Sequence, residues 1–397
     1  MNKKISRRDA GKIVAGLAAA HAASAAVGNA QTPPVPGASA YIGPLTGVAP
    51  GRIEGRQFDP VAYTRERYAS APRQLRFQAR TRADAEAWQA ALRSRLAELL
   101  GGFPSERVPL RPGILEDRAF PGYRRQKIVF DTRAGLSALG YVLMPAGAQG
   151  PLPAVICVPG HGRGVDDIVG IDSAGRDRTD KAGYQHDFAL QIVEAGLAAV
   201  AIEPIAFGAR RDPITARKGL GTSACQPAAG GALLVGETMI GWRVWDVVRM
   251  VDYIESRPEL DAGRIGLVGI SGGGTVTVFG AALEPRIKAA LVSGYLNTFA
   301  DSIGSLSHCI DNYVPGILNW AEMHDVAGLI APRPLFVESG ERDNIFPIEA
   351  SLESVDRVRA VYRVFGAEER LEHEVFPDEH AFWGRRGVPF LARQLRS

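Results

Sequence analysis

The chain has 397 residues, of which 46% are hydrophobic and 22% charged. That composition supports a buried core and excludes a disordered or collagen-like chain, and the length admits one large α/β domain with an appendage or two modest domains. The formal charge of +3 is concentrated in the first thirty residues, where Lys3, Lys4, Arg7, Arg8 and Lys12 meet only Asp9. The remainder is close to neutral, so no basic surface suited to nucleic acid is expected. Three cysteines in a chain of this size exclude a disulfide scaffold.

In chain order, Ser6-Arg7-Arg8-Asp9 precedes an apolar run over 13–26 and small residues ending at Ala30. This pattern predicts a twin-arginine signal peptide over 1–30 and an exported protein, periplasmic or secreted. The run is too short for a membrane span, and no later stretch approaches the needed length. Residues 31–55, rich in Pro, Gly and Ala, read as a linker or arm. Trp88, Leu92, Leu96 and Leu99 recur at helical spacing within 83–100, and Gly101-Gly102 ends that helix. The expected division is a signal segment (1–30), an arm with a helical extension (31–115), and a main domain (116–397).

Stretches 123–131 and 136–144 alternate as strands around Arg133-Ala134-Gly135 and predict a hairpin. Apolar runs at 154–158, 197–202, 265–270, 289–292, 335–338 and 371–376 then alternate with helical stretches. Such continuous runs predict a mostly parallel sheet with helices on both faces and the antiparallel hairpin at one edge, an α/β fold. Segments 205–236 and 295–323 break the alternation and read as lids or binding loops. Cys157 falls within a strand; Cys225 and Cys309 fall in the two insertions and are a candidate pair in an oxidising compartment.

Gly269-Ile270-Ser271-Gly272-Gly273 follows an apolar strand and opens a helix. A nucleophile on that sharp turn needs glycines beside it to leave room for neighbouring backbone, so Ser271 is the candidate nucleophile. A serine needs a base, and the base an orienting carboxylate. Asp343 follows the strand at 335–338, with Glu338 and Glu341 as competitors. His380 follows the strand at 371–376, in a loop ahead of Phe382-Trp383. His21, His186, His308, His324 and His373 have the wrong order or setting, and His161 reads as a packing and hydrogen-bonding residue. For the oxyanion, the expected donors are the backbone N–H of Gly272 and one from the loop Pro159-Gly160-His161-Gly162-Arg163-Gly164, with Arg163 preferred and Gly162 next. That loop lacks the Gly-Lys-Ser/Thr ending of a nucleotide cradle. Trp242, Tyr295, Tyr313 and Trp320 are candidate apolar walls.

From 123 to the C-terminus these residues resemble the α/β-hydrolase superfamily, and within it the dienelactone hydrolase and acetyl-xylan-esterase-like branch. The resemblance rests on Val158-Pro159-Gly160-His161-Gly162, Gly269-Ile270-Ser271-Gly272-Gly273-Gly274, Ala331-Pro332-Arg333-Pro334, Glu338-Ser339-Gly340 with Asp343, and Glu379-His380. It implies a serine carboxylic-ester hydrolase with a Ser-His-Asp triad, an acyl-enzyme, and neither metal nor organic cofactor. The expected substrates are small extracellular esters of acetylated-saccharide or xenobiotic type. The sequence departs from the branch in two places: Ser271 stands where dienelactone hydrolases have cysteine, and Gly272 where multifunctional acetyl esterases have Gln and glucuronoyl esterases Arg. The rival readings are a peptidase of the prolyl-oligopeptidase kind and a non-catalytic binding protein on the same fold.

Overall fold

The computed structural model describes residues 43–396, and among these nine strands form one sheet in the order β1-β2-β3-β5-β4-β6-β7-β8-β9. The strands are β1 (Gly113–Phe120), β2 (Tyr123–Arg133), β3 (Leu136–Pro145), β4 (Leu152–Val158), β5 (Ala198–Ile202), β6 (Leu260–Ile270), β7 (Ile287–Ser293), β8 (Leu335–Gly340) and β9 (Leu371–Phe376). β1 to β3 are antiparallel and β3 joins β5 antiparallel; from β5 through β9 every pairing is parallel. The α/β fold with an antiparallel edge is as the sequence predicts, with β1 added outside the hairpin. The signal-peptide expectation lies outside the described residues.

The central strands are apolar along their length because both faces are covered. Successive side chains of β4 divide between the faces: Ala154, Ile156 and Val158 join one core, Val155 and Cys157 the other. The first core is roofed by α6 (Met239–Glu255), α7 (Gly272–Leu283) and α9 (Ile348–Phe365), and the second by α3 (Phe188–Glu194) and α10 (Gly387–Arg396). Stacking both faces pins the register, since a one-residue slip would exchange the two sets of side chains.

Contacts group the chain into a unit ending at Thr64 and a larger one from Arg65. The unit ending at Thr64 holds short 3-10 turns at Gly43–Leu45 and Pro50–Arg52 and begins α1 (Pro60–Ala69). In the larger unit, α2 (Arg82–Leu99) is no separate extension. Thr81 caps it by accepting from the Asp84 N–H at 3.2 Å, and Ala85, Leu92 and Leu96 are buried in the main core. Each buried leucine there contributes roughly 1.5–3 kcal/mol, so the helix belongs energetically to the sheet domain. The amphipathic period of this segment predicts packing on the side of the main domain, and the burial of Ala85, Leu92 and Leu96 in the main core is that packing.

Both insertions carry short helices: α4 (Pro213–Ala216) and α5 (Cys225–Leu234) in one, and 3-10 turns at Ile310–Asn312 and Ile317–Asn319 in the other. Ile205, Phe207, Ala224, Cys225, Ala229 and Met239 form a small core against Cys309 and Ile310. The insertions are therefore packed together, not independent flaps. α8 (Met323–Gly328) follows the second of them. Among the described residues no helix is long and apolar enough to cross a membrane.

Candidate active site

Ser271 stands between the end of β6 and the start of α7 with φ 57° and ψ −122°. Its N–H donates to the Ser293 carbonyl at 3.1 Å, which fixes the turn against β7. A non-glycine residue in this region is strained, and packing must hold it there. The flanking glycines explain how. A Cβ on Gly269 would lie 2.4 Å from the Gly273 carbonyl oxygen, and one on Gly273 would lie 2.0 Å from that of Val158. The spacing of the motif is thus a requirement of close backbone approach, and it presents Ser271, half-buried, above the C-terminal end of the sheet.

Asp343, on the loop after β8, is buried, and its Oδ1 accepts from the Ile345 and Phe346 N–H groups at 2.9 and 3.0 Å. Its Oδ2 lies 2.6 Å from His380 Nδ1. The opposite nitrogen, His380 Nε2, is buried without a protein partner. The imidazole lies between Tyr184 and Phe346, with ring centroids at 5.5 and 5.7 Å and interplanar angles of 26° and 25°. Gly294 underlies it: a Cβ there would come within 3.0 Å of the ring. Ser271 and His380 line one cavity of about 330 Å³ with His161, Tyr184, Leu306, Ser307, His308, Cys309 and Ile345.

The competing carboxylates have other work. Glu338 is buried at the end of β8, and its two oxygens accept from the Trp383 and Gly384 N–H groups, both at 2.9 Å, fastening the chain just after His380. Burial pushes its carboxyl up to about 7. Glu341 is exposed. Two of the other histidines are hydrogen-bonded elsewhere: His186 Nδ1 meets the Phe382 carbonyl at 2.7 Å, and His373 Nε2 meets Ser339 Oγ at 3.1 Å.

Gly272 is where an oxyanion donor should be, at the first position of α7. Arg163 is not. Its N–H donates to Asp167 Oδ2 at 2.7 Å, and its guanidinium is taken by the Ile171 carbonyl and Asp167. The Gly160 N–H is likewise taken, by Gln185 Oε1 at 2.8 Å. His161 is the loop residue placed against Gly272, whose Cβ would lie 3.1 Å from the His161 ring. The Tyr184 hydroxyl donates to the His161 carbonyl at 2.7 Å, and a Cβ on Gly160 would touch both that hydroxyl and Ser271. The expected walls also differ. Trp242, Tyr295 and Trp320 do not line this cavity, and Tyr313 borders a separate one of about 420 Å³ beneath the second insertion. Tyr295 is fully buried, and Trp320 lies under the Arg95 guanidinium at 4.0 Å.

The sequence reading missed Tyr184, His308 and a polar cluster at the cavity wall. All three cysteines are free thiols, yet Cys225 and Cys309 lie together with His161 and Asp311, their ligand atoms all within 4.8 Å of one another. Burial works against a charged His161 ring, but the Asp311 carboxylate holds it up, to about 9. A hydrogen bond from Cys309 pulls the Cys225 thiol down to about 5 against burial, with His161 and Arg243 acting the same way. Asp311 is held well below the usual carboxylate range by Arg243 and His161, although burial opposes this. Nothing in the local sequence of these four residues signals their meeting.

A serine at a strand-to-helix elbow, followed in chain order by an acid and a histidine that meet after later strands, defines the α/β-hydrolase class of enzymes. The chain belongs to the Abhydrolase family, whose model matches residues 67–383. It is 27% identical over 288 residues to YtaP of Bacillus subtilis, assigned as a hydrolase, covering 70% of this chain and 89% of that one. A shorter stretch of 111 residues is 28% identical to the acetyl esterase Axe7A of Xylanibacter ruminicola and spans 25% of each protein. The fold is shared with a Bacteroides fragilis protein assigned as an acetyl xylan esterase, with TM-score 0.69, 20% identity, and coverage of 81% of this chain and 83% of that one. It is also shared with a glucuronoyl esterase from Solibacter usitatus, at TM-score 0.59, 16% identity, and coverage of 78% and 93%.

Proposed function

We propose that this hydrolase cleaves carboxylic esters through Ser271, His380 and Asp343. The observation that carries the reading is the 2.6 Å contact of His380 Nδ1 with Asp343 Oδ2, with Nε2 left unbonded in the cavity that Ser271 lines. An imidazole held by one nitrogen and free at the other is arranged to take the serine proton. In the proposed course, His380 Nε2 accepts the Ser271 hydroxyl proton as Oγ attacks the ester carbonyl. The N–H groups of Gly272 and His161 bind the oxyanion, with His161 replacing Arg163 as second donor. The tetrahedral intermediate collapses, His380 protonates the leaving alcohol, and water attacks the acyl-enzyme with His380 again as base; collapse of this second intermediate returns that proton to Ser271 Oγ and releases the acid. Neither step draws on a cofactor.

The cavity's size suits a short acyl group, and the acetyl and saccharide esters acted on by relatives make small acetylated or uronate-type saccharide esters the first substrates to try. Export by the twin-arginine route, which the N-terminal sequence suggests, would place the enzyme where such esters occur. The test is turnover of p-nitrophenyl acetate, butyrate and octanoate, and of a peptide anilide, by the wild type and Ser271→Ala. Loss of about a thousandfold or more in kcat for esters in the variant is expected. A folded wild type inert to esters, a variant as active as the parent, or turnover of the anilide alone would overturn the reading.

A further inference from the structure

At the wall of the cavity, which His161 and Cys309 line, three separate stretches of chain bring a histidine, two cysteines and an aspartate to one point. His161 comes from the loop after β4, Cys225 from the first turn of α5, and Cys309 and Asp311 from the second insertion. The distances between donor atoms are 3.3 Å for His161 Nε2 to Asp311 Oδ2, 3.4 Å for Cys225 Sγ to Asp311 Oδ2, and 3.9 Å for Cys225 Sγ to His161 Nε2. Four ligands bound tetrahedrally at zinc distances, near 2.0 Å for N and O and 2.3 Å for S, stand roughly 3.3–3.8 Å apart. The His161–Asp311 and Cys225–Asp311 spacings fall within that range, the Cys225–His161 spacing is slightly longer, and Cys309 Sγ lies within 4.8 Å of the other three donors. Hydrogen bonding of a histidine and a carboxylate does not by itself require two thiols at the same point.

The surroundings are those of a ligand set held from outside. Asp311 keeps Oδ1 on Asn312 Nδ2 at 2.8 Å and turns Oδ2 inward. Arg243 is anchored on the Ile205 carbonyl through Nε and Nη2 at 3.2 and 2.8 Å. From there it donates to Asp311 Oδ2 and, at 3.5 Å, to Cys225 Sγ. Such outer donors orient ligands and offset the excess negative charge of two thiolates and a carboxylate around a divalent cation.

We propose that His161, Cys225, Cys309 and Asp311 form a closed tetrahedral site for a zinc-type divalent cation. On binding, each thiol releases its proton to solvent and the sulfur lone pair takes up the metal. With four protein ligands the site keeps no open position, so the cation is structural and polarises no substrate. Its effect is positional: it clamps the His161 loop to both insertions, next to Gly272 and the nucleophile.

The experiment is titration of the full, reduced, chelator-treated protein with cobalt(II), with thiols counted chemically beforehand. A single cobalt per chain is expected, with a thiolate-to-cobalt charge-transfer band and the intense visible bands of tetrahedral cobalt, all displaced by zinc. Cys309→Ser and Cys225→Ser should lose the charge-transfer intensity in part and weaken binding by more than the roughly 10- to 100-fold that loss of an outer hydrogen-bond partner costs, while Cys157→Ala, in β4, should bind as the wild type does. Removing the metal should lower kcat for p-nitrophenyl acetate with little change in KM. The proposal is overturned if reduced, folded wild type gives no such bands, if Cys309→Ser and Cys225→Ser bind unchanged, or if the two thiols prove to be joined as a disulfide in the purified protein. Because cobalt binding is read without substrate, it is decided separately from the esterase reading.

Discussion

Tyr184 links the base to the oxyanion loop: its hydroxyl donates to the His161 carbonyl at 2.7 Å while its ring stacks on the His380 imidazole. One side chain thereby sets the position of two groups that must act together. Tyr184→Phe keeps the stack and removes the bond, leaving the loop carbonyl without its donor. We expect kcat for p-nitrophenyl acetate to fall by roughly tenfold with KM little changed, since a group acting only in the transition state affects both kcat and kcat/KM. A rise in KM alone would mean that the tyrosine merely lines the cavity.

Asp343 is tied on one oxygen by two backbone N–H groups and on the other by His380. An asparagine in its place can keep the loop but presents an amide that favours the wrong imidazole tautomer. Asp343→Asn should cost on the order of 10³–10⁴ in kcat without a matching loss of thermal stability. Retention of more than a tenth of the activity would point to Glu338 as the acid instead.

Gly273 lies so close to β4 that an added methyl would sit 2.0 Å from the Val158 carbonyl oxygen. Neither strand nor elbow can yield without moving Ser271. Gly273→Ala is therefore expected to lower stability by at least about 1–3 kcal/mol and to reduce activity in whatever protein folds. Equilibrium urea unfolding checks the first and p-nitrophenyl acetate turnover the second; a variant matching the parent in both would mean the turn is far softer than its packing implies.

Glu338 supplies a pH dependence. Its carboxyl is raised by burial from 4.5 to about 7, so the folded protein holds the proton more tightly than the unfolded chain. The stability it contributes is fully present below about pH 4.5 and is lost as pH rises through about 7. From about pH 5 to pH 8 the wild type should lose about 2–3 kcal/mol relative to Glu338→Gln. Denaturant unfolding of both proteins at the two pH values gives this difference directly, and an offset that stays constant with pH would rule the linkage out.

Much of this protein was readable from local pattern. Unbroken apolar runs such as Ala154 to Val158 could only be strands covered on both sides, and the glycines around Ser271 announced an elbow because few other residues tolerate such close backbone approach. The chain order of Ser271, Asp343 and His380 followed from the same alternation. β1 escaped because it lies on the sheet edge with most of its residues exposed, which erases the period-two signal. Loop chemistry escaped for another reason. Whether Arg163 or His161 offers its N–H depends on Asp167 four residues on, and on a tyrosine and a glutamine from the 184–185 stretch. The meeting of His161 with Cys225, Cys309 and Asp311 had no local trace at all. Periodicity records only which way a side chain faces within its own element, whereas proximity across 64 to 150 positions is decided by the strand order and by how the two insertions pack on each other.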